Sequence, residues 1–382
     1  MRRNPILAEL GTYPIATIQA RARARREAGL PLVDFSIGDP REPTPPFIRA
    51  ALRDAVPEVS QYPVAAGLPE FRRAVAGYLE RRFGIRVDPD TQILPTSGSK
   101  EAIFTTPFAL AGAGVGVAYP TPGYPVYERG ARFAGARPLP IVLDGDFVLR
   151  ADDVPDEVWS QAAILWTCSP HNPSGSVATL GELAALYERA RDHEVLVCAD
   201  ECYVDVYDED AYPDGPPSML QVAGGSASGL LVYLSLSKRS GMTGYRSGAI
   251  VGDPEAIEAL RALRSTTGTI PPEFTQAAAI AAWSDDAHVA ARRAIFSEKR
   301  RILRGAFERL GMEIVASRAG LYLWVAVDDD LAVTDRLLDH GIVVSPGRFF
   351  GPGGEGYLRL ALVPTVEECR AAADALVDAL GG

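Results

Sequence analysis

Short apolar runs alternate with longer amphipathic stretches through the middle of the chain. Four of these runs are rich in β-branched and aromatic residues, and turn residues follow most of them: Val115–Tyr119, Ala163–Thr167, Val195–Ala199 and Leu230–Ser235. Such runs are typical of buried parallel strands joined by crossover helices. The crossover helices are predicted at 99–110, 179–193, 254–265 and 273–283. The pattern predicts an α/β fold with helices packed on the sheet.

The two ends of the chain follow a different pattern. Residues 1–30 predict an arm with one helix, and two more helices are predicted at 45–56 and 68–83. The C-terminal part predicts two alternating strands between helices, which is typical of an α+β unit. These elements are a long helix at 284–310, strands at 320–327 and 356–361, and a closing helix at 365–380. We predict an arm with part of a small domain at 1–44, a large domain at 45–270, and a small domain at 271–382.

Composition and charge narrow the classes of function. The 382 residues carry a formal net charge of −11, and such an acidic chain is a poor general binder of nucleic acid or anionic membrane. Four cysteines are too few for a disulfide framework. No apolar run is long enough for a transmembrane helix, and no signal peptide is visible, so we expect a cytoplasmic protein.

Polar side chains follow the predicted strands at the edge where open α/β sheets bind ligands. Ser99 and Lys100 follow Gly98 and open a helix, whose N-terminus attracts phosphate; an ordinary helix cap is the alternative. Asn172 lies between two prolines after the second run, where a simple turn is the alternative. Asp200 ends the third run, and a buried acid needs a partner such as a protonated ring nitrogen. Its alternative role is to cap the next helix.

The segment after the last apolar run carries the most specific signal. Ser235 and Ser237 precede Lys238, and Arg246 follows among glycines. A lysine directly after a buried strand is partly desolvated, which lowers its pKa and makes the amine a nucleophile for carbonyls. The hydroxyls, glycines and arginine suit a phosphate, whereas a surface loop is the alternative. Later, Arg359 lies at the centre of a predicted strand, where it would bind a carboxylate or form a structural ion pair.

Together these segments resemble the class I/II aminotransferases, which are fold-type I enzymes that use pyridoxal phosphate. The resemblance runs from Asp34 to Arg359 and rests on a Ser-x-Ser-Lys motif with Gly-x-Arg-x-Gly behind it. Lys238 follows Asp200 by 38 residues, and Asp200 follows Asn172 by 28, which are spacings similar to those of the family. The resemblance implies a large domain with a mostly parallel seven-stranded sheet between helices and a smaller α+β domain.

The same resemblance implies roles for the candidate residues. Lys238 would bind the cofactor covalently and then move the substrate's proton, and Asp200 would keep the pyridine nitrogen protonated. Asn172 and Tyr203 would bond to the phenolic oxygen of the cofactor, and Tyr124 would stack on its ring. The implied cofactor contacts also include Gly98, Ser99, Lys100, Ser235, Ser237 and Arg246.

The resemblance also implies how substrates bind and how chains assemble. Arg359 would hold the substrate's α-carboxylate with help from Gly38 and Asn172. Tyr62 matches a phosphate contact supplied by the other subunit, so a homodimer is implied. The expected substrates are amino acids and 2-oxo acids.

Other segments are similar to the N-succinyldiaminopimelate aminotransferases of lysine biosynthesis, among them Thr12–Pro14, Asp39–Glu42 and Val154–Trp159. These enzymes would use glutamate and 2-oxoglutarate as the second substrate pair. Aspartate, aromatic or branched-chain aminotransferases of the same fold are alternatives, as is a pyridoxal-phosphate-dependent lyase. The candidates for binding a side-chain carboxylate of the substrate are Arg21, Arg23 and Arg41, although each is better explained as a solvated side chain.

Two other classes of protein compete with this hypothesis. A zinc site could be formed by Cys168, His171, Cys198 and Cys202. Cys198, however, lies inside an apolar run and is typical of core packing, so we predict no metal. A regulator with an aminotransferase-like domain would need a DNA-binding module ahead of Asp34, and about 30 residues are too few for one.

Overall fold

The computed structural model describes residues 4–9, 16–143, 145–223 and 225–381, with the backbone alone at 16 and 17. The segment Thr12–Pro14 lies outside these residues. No helix within these ranges is long and apolar enough to cross a membrane.

The strands of the described chain are short and form three sheets. They are β1 (Val33–Asp34), β2 (Ile93–Thr96), β3 (Gly116–Thr121), β4 (Arg137–Val142), β5 (Ala162–Cys168), β6 (Leu196–Asp200), β7 (Leu230–Ser235), β8 (Gly248–Gly252), β9 (Ile314–Val315), β10 (Tyr322–Ala326), β11 (Ile342–Val343), β12 (Ser345–Pro346) and β13 (Tyr357–Ala361).

Helices connect and cover these strands. They are α1 (Pro5–Glu9), α2 (Ala16–Glu27), α3 (Pro46–Asp54), α4 (Pro69–Phe83), α5 (Ser99–Leu110), α6 (Val126–Phe133), α7 (Asp156–Gln161), α8 (Leu180–Asp192), α9 (Leu220–Ala223), α10 (Leu236–Arg239), α11 (Pro254–Thr267), α12 (Glu273–Trp283), α13 (Ala287–Arg309), α14 (Asp330–Asp339) and α15 (Val366–Leu380).

Local sequence signals set several helix ends. Thr179 and Glu182 form a reciprocal capping box at the start of α8. Asp253 caps α11 by accepting hydrogen bonds from two backbone N–H groups of the first turn. Gly84 ends α4 with a φ of 70°, in the left-handed region that glycine adopts without strain.

A seven-stranded sheet forms the centre of the larger part, in the order β2-β8-β7-β6-β5-β3-β4. The strands β3 to β7 run parallel to one another, and β8 runs antiparallel to β2 and β7. The predicted α/β fold with a mostly parallel seven-stranded sheet is confirmed. Because β5, β6 and β7 are neighbours, the polar residues at their carboxyl ends share one edge of the sheet.

A smaller antiparallel sheet, in the order β12-β13-β10-β9, forms a second layer with α13 and α15. Its core contains Phe307, Leu360 and Leu376, all fully buried. The N-terminal part reaches this unit because β1 pairs in parallel with β11. Helix α12 instead packs on α3 and α4, and its Trp283 lies in the same core cluster as Phe71.

The sequence pattern did not predict three strands of the large sheet, β2, β4 and β8. Strand β4 carries Pro138 and Pro140, which argue against a strand, but it lies at the edge of the sheet where proline is tolerated. Strands β2 and β8 are four and five residues long, and β8 begins and ends with glycine. Strand β8 is buried between β2 and β7, and this position compensates for its weak strand propensity.

Candidate active site

A cavity of about 600 Å³ lies at the carboxyl edge of the large sheet. Twelve of the predicted site residues line it: Gly38, Ser99, Lys100, Tyr124, Asn172, Asp200, Tyr203, Ser235, Ser237, Lys238, Arg246 and Arg359. Gly98 lies against Arg246 beside this cavity. Tyr62 does not line the cavity and is 98% exposed.

Lys238 lies in α10, the short helix directly after β7. Its Nζ donates a hydrogen bond to the Gly38 carbonyl oxygen. Burial disfavours the ammonium form and lowers the pKa of Lys238 to about 8, against an opposing effect of the Asp39 carboxylate. Roughly a tenth of the amine is therefore neutral at pH 7, compared with well under a thousandth of an ordinary lysine. This amine is able to attack a carbonyl carbon.

Lysine is rare in this chain, and the few lysines lie in the cavity or in the protein interior. The sequence contains three lysines among 38 basic residues. Lys100 and Lys238 both line the cavity. Lys299 is fully buried and forms an ion pair with Glu42. Arginine therefore supplies nearly all positive charge on the surface.

Asp200 ends β6 and is held by two donors. The Tyr127 hydroxyl donates to one carboxylate oxygen at 2.8 Å, and the Cys202 N–H donates to the other at 3.2 Å. Burial raises the pKa of Asp200, and these hydrogen bonds oppose the rise. Burial also raises the pKa of Tyr127 well above its usual value, so its hydroxyl stays a donor. A buried carboxylate held in this way suits a cationic N–H such as that of a protonated pyridine.

Arg246 and the start of α5 form a cradle for an anion. A Cβ at Gly98, which has a φ of 86°, would lie 2.4 Å from Nη2 of Arg246, so any other residue would displace the guanidinium from this position. Helix α5 begins at Ser99 with its N-terminal N–H groups beside this guanidinium. The Ser235 hydroxyl also lines the cavity and accepts a hydrogen bond from the Ser237 N–H at 3.1 Å. A phosphate dianion fits this combination of helix N-terminus, hydroxyl and arginine.

Arg359 projects from β13 into the same cavity. Its Nη1 donates to Asn172 Oδ1 at 3.1 Å, and its Nη2 donates to the Ser36 carbonyl at 2.7 Å. Its guanidinium carbon lies 4.3 Å from the Tyr322 ring centroid and 4.4 Å from that of Phe350. Its Nε is buried and has no hydrogen-bond partner within the described residues. Each Nη carries a second N–H beyond these two hydrogen bonds, and this pair of N–H groups suits a carboxylate ligand.

Two tyrosines that line the cavity together with Asp200 contact each other through their hydroxyl groups. The hydroxyls of Tyr203 and Tyr322 lie 2.9 Å apart, and burial raises the pKa of both groups. Sequence reasoning identified Tyr203 but missed Tyr322, which is on β10, the strand that pairs with the strand of Arg359. The alternating pattern of β10 was visible in the sequence. Which face of β10 lines the cavity depends on its register with β13, and the sequence does not give that register. Tyr124 lines the same space, its ring centroid 5.8 Å from that of Tyr127.

The side chains of the alternative zinc site have separate partners. His171 Nδ1 lies 2.8 Å from the Ser174 hydroxyl, and Cys198 Sγ accepts from the Tyr233 hydroxyl at 3.8 Å. Cys168 Sγ contacts the Pro170 carbonyl. Across the described ranges, no group of three or more His, Cys, Asp or Glu side chains is arranged to hold a metal ion.

The three N-terminal arginines that were candidates for a side-chain carboxylate do not line the cavity. Arg21 pairs with Asp335, and Arg41 pairs with Glu368 at 2.6 Å. Arg23 is exposed on α2. The structure thus supports their assignment as surface side chains.

A large mostly parallel sheet with an enclosed lysine, a buried aspartate and an anion cradle at its carboxyl edge defines a fold-type I enzyme. The chain belongs to the aminotransferase class I and II family, whose sequence profile matches residues 31–376. It is a pyridoxal-phosphate-dependent transaminase that acts on amino acids and 2-oxo acids, and the family prediction is confirmed.

Relatives and solved structures agree with this assignment along the full chain. The 4-dedimethylamino-4-oxo-anhydrotetracycline transaminase of Streptomyces rimosus is 39% identical, over 96% of this chain and 99% of that protein. LL-diaminopimelate aminotransferase 2 of Trichormus variabilis is 37% identical, over 98% and 97%. The structure of a probable N-succinyldiaminopimelate aminotransferase from Thermus thermophilus has a TM-score of 0.89 at 29% identity, over 96% and 100%.

Proposed function

We propose that this transaminase exchanges an amino group between the glutamate/2-oxoglutarate pair and an amino acid of the diaminopimelate class. The observation that carries this proposal is the single cavity that Lys238 and Arg359 both line. The names of the Trichormus and Thermus relatives support the substrate class, as free LL-diaminopimelate or as its N-succinyl derivative.

Pyridoxal phosphate, when bound, supplies an aldehyde carbon and an electron-withdrawing pyridine ring. In our proposal its phosphate would be held by Arg246, Ser235 and the N-terminus of α5 at Gly98–Lys100, and Tyr124 would stack on its ring. Asp200, which accepts a hydrogen bond from Tyr127, would accept one from the protonated ring nitrogen. The depressed pKa of Lys238 lets its amine accept the proton from the substrate Cα and return it.

The remaining residues orient the substrate and the cofactor's oxygen. Tyr203 and Asn172 point polar groups into the cavity and would bond to the phenolic oxygen. Arg359 would hold the α-carboxylate in bidentate fashion, with Asn172 fixing one side of its fork and Ser36 the other. The Gly38 backbone lies next to the same carboxylate position.

We also propose that the working form is a homodimer in which Tyr62 completes the partner's phosphate site. Tyr62 lies on an extended segment whose large side chains are exposed, with Val59 at 75% and Val64 at 67%. Exposed apolar side chains this close together are typical of a covered interface. We expect a dimer in sedimentation equilibrium and weaker cofactor retention in Tyr62→Phe. A monomer at micromolar concentration would contradict this proposal.

The test of the proposed function is a spectrum followed by a substrate panel. The absorbance band of the bound cofactor should shift when L-glutamate is added without an acceptor. With 2-oxoglutarate as acceptor, kcat/KM for LL-diaminopimelate or its N-succinyl derivative should exceed that for aspartate, phenylalanine and leucine by at least about tenfold, or about 1.4 kcal/mol. A band that ignores glutamate, or a preference for aspartate or aromatic amino acids, would overturn the proposal.

A further inference from the structure

Tyr322 lines the cavity but has no part in the chemistry described so far. Its hydroxyl oxygen lies 2.9 Å from that of Tyr203, in a geometry in which either oxygen can donate the hydrogen bond. Both side chains are buried, with 8% of Tyr203 and 3% of Tyr322 exposed. A hydroxyl has one proton to donate, so the direction of this hydrogen bond decides what each tyrosine can offer a ligand.

The fold fixes the position of Tyr322 relative to two other cavity residues. On β13, Arg359 comes two residues before Ala361, which lies opposite Tyr322. Tyr322 and Arg359 are therefore diagonal neighbours on one face of the small sheet, and the guanidinium carbon lies 4.3 Å from the ring centroid. A Cβ at Gly38 would lie 2.7 Å from the Tyr322 hydroxyl oxygen, so a side chain at position 38 would displace that hydroxyl. The ring of Tyr322 thus contacts the arginine, while its hydroxyl contacts Tyr203.

A count of protons gives the direction of the hydrogen bond when the cofactor is bound. In the proposed function Tyr203 donates its hydroxyl proton to the phenolic oxygen of the cofactor. The Tyr203 oxygen can then accept from Tyr322 but cannot donate to it. The positive charge of Arg359 favours this direction, because it opposes the rise in the pKa of Tyr322 that burial causes and so makes its hydroxyl a better donor.

We propose that Tyr322 is a positioning residue whose hydroxyl donates to Tyr203 and thereby strengthens the hydrogen bond from Tyr203 to the phenolic oxygen. A hydroxyl that accepts one hydrogen bond donates another more strongly, because successive hydrogen bonds polarise each other. The inference rests on the proposed function, which gives Tyr203 its contact with the cofactor. Tyr322 itself acts through Tyr203.

The expected consequence is a change in the pH at which the absorbance band of the bound cofactor changes. A donor at the phenolic oxygen draws negative charge away from the neighbouring nitrogen, through which Lys238 would hold the cofactor. That nitrogen then loses its proton at a lower pH. Weakening the donor should therefore raise the midpoint of an absorbance titration, whether or not the enzyme is turning over.

Absorbance titrations of the holoenzyme test the proposal in single and double variants. Tyr203→Phe should raise the midpoint by about one to two pH units, which corresponds to one hydrogen bond to a charged oxygen. Tyr322→Phe should raise it by about 0.3 to 0.6 pH units, since it weakens that hydrogen bond without removing it. Adding Tyr322→Phe to Tyr203→Phe should leave the midpoint where Tyr203→Phe alone places it, because the effect passes through the Tyr203 hydroxyl.

Tyr187→Phe is the matched control. It also removes the hydroxyl of a buried tyrosine, which donates to the Ser228 carbonyl, but Tyr187 does not line the cavity. Its midpoint should equal that of the wild type. Phenylalanine at position 322 keeps a ring beside Arg359, so the apparent KM for glutamate should change less than about twofold. A rise in KM like that of an arginine-free variant would show that the substitution displaces Arg359 and would overturn the proposal.

The role of Tyr322 and the proposed function fail separately. If Tyr203→Phe shifts the midpoint but Tyr322→Phe does not, or if the two shifts simply add in the double variant, the role of Tyr322 falls and the proposed function stands. If Tyr203→Phe causes no shift, Tyr203 loses its place at the phenolic oxygen and Tyr322 its role. If the shifts occur as expected but diaminopimelate is a poor substrate, the role of Tyr322 stands and the proposed substrate class falls.

Discussion

Replacing Lys238 with alanine will abolish transamination and leave the protein folded. In the proposed function the side chain supplies the amine that reacts with the cofactor and the base that moves the Cα proton, whereas Lys100, which also lines the cavity, would lie beside the phosphate. We expect turnover with glutamate and 2-oxoglutarate to fall by more than about 10⁴-fold. Circular dichroism and the thermal midpoint should change little, since the Lys238 side chain donates one hydrogen bond, to Gly38.

Lys238→Arg is the matched variant for this experiment. It keeps the positive charge and a donor toward Gly38, but a guanidinium does not lose its proton at neutral pH. It should be as inactive as the alanine variant, which separates the loss of the nucleophile from the loss of charge. Turnover near the wild-type rate in Lys238→Ala would refute the assigned mechanism.

Replacing Arg359 with alanine will raise the apparent KM for every α-carboxylate substrate by about 100-fold. The guanidinium is held between the rings of Tyr322 and Phe350 and fixed by Asn172 and Ser36, so in the proposed function the second N–H of each Nη binds the α-carboxylate. Steady-state kinetics with glutamate and 2-oxoglutarate measure the effect. The absorbance of the bound cofactor should be retained, because the phosphate cradle around Arg246 is separate.

Arg359→Lys and a substrate without a carboxylate provide the controls. Lysine keeps the charge but loses the planar fork, so its KM should lie between those of the wild type and the alanine variant. A slow reaction with a simple primary amine should be unaffected by either change. An unchanged apparent affinity for glutamate in Arg359→Ala would show that another group binds the α-carboxylate.

Several cavity residues could be predicted from the sequence because they come shortly after strands of the large sheet. Asn172, Asp200 and Lys238 each come shortly after an apolar run, and parallel strands place their carboxyl ends together. The resemblance to the class I/II aminotransferases implied that Gly98 and Arg246 would contact the same phosphate. The small domain was visible from its alternating strands, which placed Arg359 on a buried strand.

Other parts of the site depend on contacts that no local pattern encodes. Tyr322 reaches Tyr203 through the antiparallel register of β10 with β13, and a shift of one residue would turn it away. Tyr127 reaches Asp200 from a helix, α6, that the sequence did not predict.

The scarcity of lysine has a practical consequence for studying this enzyme. Two of the three side-chain amines line the cavity, and the third is buried in an ion pair. Amine-directed reagents, which decorate the surface of most proteins, would find their side-chain targets here in the catalytic cavity. A single mild labelling reaction, quantified by mass spectrometry with and without added pyridoxal phosphate, would therefore report the fraction of cavities in which the cofactor protects Lys238.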